Sequence, residues 1–150
     1  MSGLVESIYR APTHGEPQQS VDAAKLALTV GLEGDRYANS RGVVSLIEAE
    51  AVLAFNQVTG LDIEPGDVGR NIVTRGIRLN PLVGKQFKIG NILLEGMELC
   101  EPCATLGGRL ASGAVNSAAV VKAFAASAGI RAIVRGTGDI CPGSAVTALS

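Results

Sequence analysis

The chain has no tryptophan, one histidine, two tyrosines and three phenylalanines. So few rings cannot lay out the stacked aromatic platform that single-stranded nucleic acid requires. Neither sign of charge is concentrated: 13 Lys and Arg face 14 Asp and Glu, a formal net charge of −1. Affinity for nucleic acid comes from neutralising phosphates with clustered cations, and here the cations are scattered, so no nucleic-acid partner is expected. No apolar run reaches the roughly 18 residues of a membrane span. The opening "MSGLVESIYRAP" lacks the basic start and apolar core of a secretory signal. A cytoplasmic protein with no membrane partner is the expectation. Cysteine is also scarce: three residues, an odd number. A chain of 150 residues can bury a core without staples, so reduced thiols are expected rather than a disulfide framework.

What is present points to one domain over residues 1–150, mainly β. Hydrophobic residues make up 47% and charged residues 18%, with 19 glycines, a mixture too apolar for disorder and too glycine-rich for a helical bundle. "LVESIYR", residues 4–10, predicts a first strand, followed by a loop through "PTHGEPQQS". "KLALTV" predicts another strand, which dissolves after Gly31 into a loop bearing Asp35 and Arg36. Val43 and Val44 read as a strand. Ser45 and Glu48 then have the spacing of a capping box, opening a helix with Ala51, Phe55 and Val58 on one face and Gly60 as its stop. From 61 to 99, "NIVTRGIRL", "PLVGKQFKIG" and "NILLEGMEL" alternate apolar runs with glycines, the pattern of a closed or strongly bent sheet. A second helix is predicted over 115–128, with Val121, Phe124 and Ala128 on one face. "GIRAIVRGTG" and "SAVTALS" supply the last strands.

The chemistry-bearing stretch is "LCEPCATL", residues 99–106. Cys100 and Cys103 have the spacing of a zinc knuckle, but the only other ligands of that kind are Cys141 and His14, and no second knuckle exists. A thioredoxin-like dithiol would need a helix directly after the pair, whereas "ATLGGRLASG" is broken by glycines. Two readings remain open. Cys103, after Pro102 at the end of a strand, is placed to act as a reactive thiolate in a cleft; the reading this stretch alone favours is that both cysteines are small buried hydrophobes. "GLEGDRYA" and "PGDVGRNIVTRG" add Arg36, Arg70 and Asn71 beside glycines, where guanidinium forks and backbone N–H groups can meet an anion. A loop ion pair for Asp35 and Arg36 and a turn role for Asn71 explain the same residues without a ligand.

Taken in order, "GLEGDRYA", "VSLIEAEAV", "PGDVGRNIVTRGIRLNPLVGKQFKIG", "LLEGMELCEPCATL" and "GIRAIVRGTGDICPG" resemble the MOSC domain, the module named for the C-terminal part of molybdenum cofactor sulfurase. The resemblance spans roughly residues 4–149 and implies a MOSC-type β-barrel with a few short helices. It implies that Cys103 is the reactive residue, a ligand of molybdenum or a carrier of sulfur as a persulfide, and that Cys100 is dispensable. Arg36, Ser45, Arg70 and Asn71 would then hold the pterin and phosphate of the molybdenum cofactor. The expected reaction is reduction of an N-oxygenated small molecule. The alternatives are sulfur transfer, or a non-catalytic binding module that keeps the barrel. A cysteine desulfurase or a reductase is the implied partner; pyridoxal phosphate would enter only through a partner sulfurase domain. Longer relatives carry an extra N-terminal domain, so a complete site is expected to draw on a partner subunit. Two positions depart from the family pattern: Arg70 stands where Glu is common before the Asn, and Gly143-Ser144 where Gly-Asp is usual.

Overall fold

The computed structural model describes residues 2–100, 119, 120, 122, 124 and 127–149. Its elements are β1 (Ser2–Arg10), β2 (Gln19–Val21), β3 (Ala24–Ala27), β4 (Gly31–Leu32), β5 (Val43–Glu48), α1 (Ala49–Thr59), β6 (Ile72–Arg75), β7 (Gln86–Ile89), β8 (Ile92–Leu99), β9 (Ile130–Val134), β10 (Gly138–Ile140) and β11 (Ala145–Ala148). Strands β11, β7, β8, β9, β5, β6 and β1 pair in that order, and β1 pairs back onto β11, closing the barrel. Strand β2 lies against the far part of β1, while β10, β3 and β4 form a small separate sheet. The fold is therefore the mainly β barrel that the glycine-punctuated strands imply. Among the described barrel strands only β5 and β6 pair in parallel. Parallel neighbours need a long crossover, and α1 with the segment after it supplies one.

Alternation along the strands fills the barrel. Strand β9 reads buried, half-buried, buried in turn, and its Ile130, Ala132 and Val134 join Leu46, Ile72, Phe87 and Leu94 in the interior. A second core lies outside the barrel wall, where Ile47 and Val73 meet Val52 and Phe55 of α1 together with Phe124 and Ala128. The Phe55 and Phe124 rings stack there at 4.2 Å between centroids, 8° from parallel. Phe124 and Ala128 are thus buried as predicted, whereas Val121 lies outside the described residues. Among those residues no helix is long and apolar enough to cross a membrane.

The start of α1 differs from expectation. Strand β5 continues through Glu48, an extended N-cap with no side-chain cap bond, so the capping box does not form. Ser45 is held in the strand by Asn71, and the Glu48 carboxylate accepts the Leu79 N–H and pairs with Arg78 instead. With the helix beginning at Ala49, its buried face is Ala49, Val52 and Phe55. Val58 falls about 120° round from Val52 at helical pitch and is 75% exposed. Gly60 ends the helix as expected, with φ at 75°.

Two β-bulges decide what faces outward. The β1–β6 register shifts between Val5 and Ser7, and the β8–β9 register between Gly96 and Glu98. One extra residue reverses the facing of every side chain beyond it. Ile8 thereby stays inside and Tyr9 packs on the outer core; likewise Glu98 is opposite Arg131, and Cys100 joins the outer core rather than the barrel interior.

Close backbone approach sets one strict requirement. At Gly129, with φ +101°, a Cβ would lie 2.0 Å from the Leu46 carbonyl oxygen. We expect Gly129→Ala to destabilise the fold by about 3 kcal/mol or more, in the range of strain combined with a buried clash. Gly60→Ala, with nothing near the added methyl, should cost only about 1 kcal/mol. Urea unfolding of the two variants checks the contrast.

Candidate functional site

A row of polar side chains crosses the outer wall of the barrel from strand to strand: Tyr9 on β1, Asn71 just before β6, Ser45 on β5, Arg131 on β9 and Glu98 on β8. Ladder pairing sets the row. The Tyr9 N–H donates to the Asn71 carbonyl at 2.7 Å and the Asn71 N–H to the Ser45 carbonyl at 3.1 Å, while Ser45 is opposite Arg131 and Arg131 opposite Glu98. Asn71 is buried and stitches three strands together. Its Oδ1 accepts from both the Ser45 N–H and hydroxyl at 3.2 Å, its Nδ2 donates to the Tyr9 carbonyl at 3.3 Å, and its N–H reaches the Ser45 Oγ at 3.0 Å. Two of the predicted cofactor-binding residues, Ser45 and Asn71, are therefore in direct contact, and they hold each other.

Arg36 and Arg70 meet beyond the end of the row. Asp35 is buried; its carboxylate accepts the Ala11 and Tyr37 N–H groups and pairs with Arg36 Nη1 at 3.1 Å. Arg36 Nη2 donates to the Gly69 carbonyl at 3.3 Å, and its guanidinium sits 4.7 Å from the Tyr37 ring centroid. Gln18 bridges the two arginines in the amide orientation that satisfies both ends, accepting from Arg36 Nη1 at 3.0 Å and donating to the Arg70 carbonyl at 3.1 Å. Arg70 Nε donates to the Ala128 carbonyl at 2.8 Å, which ties the β6 approach to the segment leading into β9. Arg36 thus faces protein groups, as the loop-ion-pair reading has it, and positions Gly69 and Arg70.

Cys103 lies outside the described residues, but Cys100 shows where strand β8 delivers the motif. The Cys100 N–H donates to the Gly129 carbonyl at 2.8 Å, and its thiol is 3% exposed within the outer core. Burial raises its pKa, Glu98 adds to this, and the guanidinium groups of Arg70 and Arg131 pull it back down. Two arginines therefore reach this sulfur electrostatically. Cys141 is exposed at the β10–β11 turn, where its N–H donates to the Ser144 Oγ at 3.0 Å, and His14 packs edge-on against Tyr37. Among the described residues, no three His, Cys, Asp or Glu side chains are gathered to hold a metal. A cleft of about 500 Å³ opens elsewhere, beside α1. Its carboxylates Glu48 and Glu50 already accept the Leu79 and Gly76 N–H groups, so it belongs to the scaffold.

Sequence reasoning passed over Tyr9, Gln18, Glu98 and Arg131. Arg131 had a signal: in "GIRAIV" it alternates with the apolar Ile130 and Ala132, which places it on the outer face. Glu98 and Tyr9 had none, because each reaches that face only through a bulge.

Two outcomes follow from this geometry. Asn71→Ala removes the three bonds made by the Asn71 side chain and should cost about 2 kcal/mol or more, against about 1 kcal/mol for Ser45→Ala; chemical denaturation measures both. Because the folded Cys100 thiol titrates above its usual 9.0, the folded state holds the proton more tightly. Its contribution is present below the unfolded thiol pKa and is lost as pH rises from there through the folded value. Unfolding stability measured from pH 8 upward (roughly the ordinary thiol range) should decline less steeply in Cys100→Ala than in the wild type.

The structure is similar to that of YuaD from Bacillus subtilis, with a TM-score of 0.86 at 19% identity, covering 97% of this chain and 94% of that one. It is also similar to YiiM from Geobacillus stearothermophilus (TM-score 0.74, 16% identity, 96% of this chain and 73% of that one) and YiiM from Escherichia coli (TM-score 0.73, 22% identity, 100% and 70%). At these identities the likeness establishes the fold alone. No curated protein sequence matches the chain. The family model of the MOSC domain matches residues 33–147, from the loop carrying Asp35 and Arg36 to the last strand. On that match the chain belongs to the MOSC domain family, which is associated with molybdenum cofactor sulfurase and related proteins.

Proposed function

We propose that this domain holds the molybdenum pterin cofactor against the polar outer wall of its barrel and serves the reduction of an N-oxygenated small molecule. The observation that carries the reading is the placement of two arginines at the end of β8, three residues before Cys103: Arg70 Nε bonds the Ala128 carbonyl next to Gly129, whose own carbonyl accepts the Cys100 N–H, and Arg131 is opposite Glu98. The donor chemistry fits the cofactor. A thiolate at Cys103 suits a soft molybdenum–sulfur centre, and an anionic pterin phosphate calls for guanidinium and N–H donors. In this reading Cys103 is the metal ligand and catalytic residue, and Arg70 faces the phosphate. Ser45 and Asn71 shape the wall on which the pterin rests, and Arg36 with Gln18 positions Arg70. When bound, the metal centre supplies the two-electron chemistry; the electrons come from a reductase partner.

A persulfide on Cys103, delivered by a cysteine desulfurase, is the competing use of the same sulfur. Elemental analysis and intact-mass spectrometry, wild type beside Cys103→Ser, separate the two. Protein purified from a cofactor-producing host should carry about one molybdenum per chain, lost in Cys103→Ser along with the thiolate ligand. Extra sulfur on Cys103 without metal favours the carrier. A variant with unchanged ligand content and unchanged phenotype leaves a non-catalytic binding module. Metal-free wild type that is still active overturns the cofactor reading.

A further inference from the structure

Arg131 is the one cation in the transverse row. Its neighbours Ser45 and Asn71 are bonded to each other, whereas Arg131 pairs with Glu98 at 3.7 Å, the two side chains 43% and 51% exposed. A pair this long and this open to solvent holds weakly and exchanges readily. Its placement, however, is built. Arg131 is opposite Ser45 across the β5–β9 ladder, and Glu98 is opposite Arg131 only because the register shifts after Gly96. One step further along the same strands, Cys100 bonds to Gly129. The bulge therefore brings an acid onto the only described arginine of the row, immediately beside the strand end that leads to Cys103.

We propose that Arg131 is a specificity-determining residue for an anionic, phosphate-bearing ligand, and that Glu98 is its built-in competitor. Without ligand, the carboxylate holds the guanidinium; a phosphate group takes it over with a bidentate contact that a single carboxylate oxygen at 3.7 Å does not make. Glu98 is left to solvent, at little cost because it is already half-exposed. The assignment deepens the cofactor reading and rests on it. It adds that the site selects a doubly charged phosphate over weaker anions, because only a stronger acceptor displaces Glu98.

The two roles available to this ion pair give opposite signs. If the pair serves only structure, removing either partner has the same effect on binding. If Glu98 competes, Arg131→Ala weakens anion binding while Glu98→Gln strengthens it. Isothermal titration of wild type, Arg131→Ala, Arg131→Lys and Glu98→Gln with inorganic pyrophosphate, at fixed ionic strength, reads the difference. Arg131→Ala should weaken binding about tenfold, the scale of one charge-assisted hydrogen bond. Arg131→Lys should recover part of it, Glu98→Gln should tighten it several-fold, and thermal melting should be nearly unchanged in all three. Both truncations weakening binding, neither changing it, or a wild type that binds no pyrophosphate overturns the proposal. Molybdenum content of the same preparations separates this result from the cofactor reading. Metal-loaded protein with Arg131-insensitive pyrophosphate binding sinks the Arg131 assignment alone; the expected pyrophosphate pattern in protein that never loads metal sinks the cofactor reading alone.

Discussion

The buried Asn71 side chain is the constraint on which the outer wall depends. A parallel strand pair is joined only through a distant crossover, so nothing local fixes how β6 lands beside β5. Asn71 fixes it with side-chain and backbone bonds to Ser45, and in the same stroke binds β1 through the Tyr9 carbonyl. An amide suits the position because it accepts on one side and donates on the other. A carboxylate would face the Tyr9 carbonyl with no proton to give. Once β1, β6 and β5 are in register, Arg131 and Glu98 follow by ordinary ladder pairing.

Electrostatics on this wall come from arginines with different tasks. Arg36 and Asp35 form a nearly buried pair whose other partners are the Ala11, Tyr37 and Gly69 backbone groups, the Gln18 amide and the Tyr37 ring. A buried pair of this kind contributes less to net stability than to a unique arrangement, since desolvation offsets much of its attraction. Here the arrangement is the loop geometry that presents Gly69 and Arg70. Arg131 lies at the other extreme, half in water and loosely paired. Between them, the wall has one arginine that builds and one that can exchange partners.

Much of the fold was legible in the sequence because period-two alternation and glycine punctuation are local signals. The barrel and the helix stop at Gly60 follow from such patterns, and the burial of Phe124 from the equally local spacing of a helix face. What escaped depends on tertiary partners. Ser45 and Glu48 have capping-box spacing, but Ser45 is claimed by Asn71, 26 positions away, and Glu48 by Leu79, 31 away. A short polar side chain takes whichever partner the packed chain offers, so spacing alone did not decide. The bulges escaped for a related reason. An extra residue in a strand leaves the apolar count unchanged, and nothing in "EGMEL" marks Met97 as the residue that is out of step. At the site, residue types beside glycines disclosed Arg36, Arg70 and Asn71, while the protein partners that hold each of them are visible only in the hydrogen bonds.

The two departures from the family pattern can now be weighed by position. Ser144, in place of the usual Asp, lies in the β10–β11 turn, where its hydroxyl accepts the Cys141 N–H and its carbonyl the Val5 N–H. A hydroxyl and a carboxylate are both competent acceptors in such a turn, so the hydrogen bond survives and only the charge is lost. Val5 is four residues along β1 from Tyr9, roughly 13 Å at the rise of a strand, which is beyond a Debye length at physiological salt. The change at 144 therefore acts on a turn and reaches the wall weakly. Arg70 adjoins Asn71 itself and acts on the Cys100 thiol. Replacing an acid by a guanidinium there reverses the sign of the local charge beside the stitch, so of the two departures it is the one that changes the electrostatics of the wall itself.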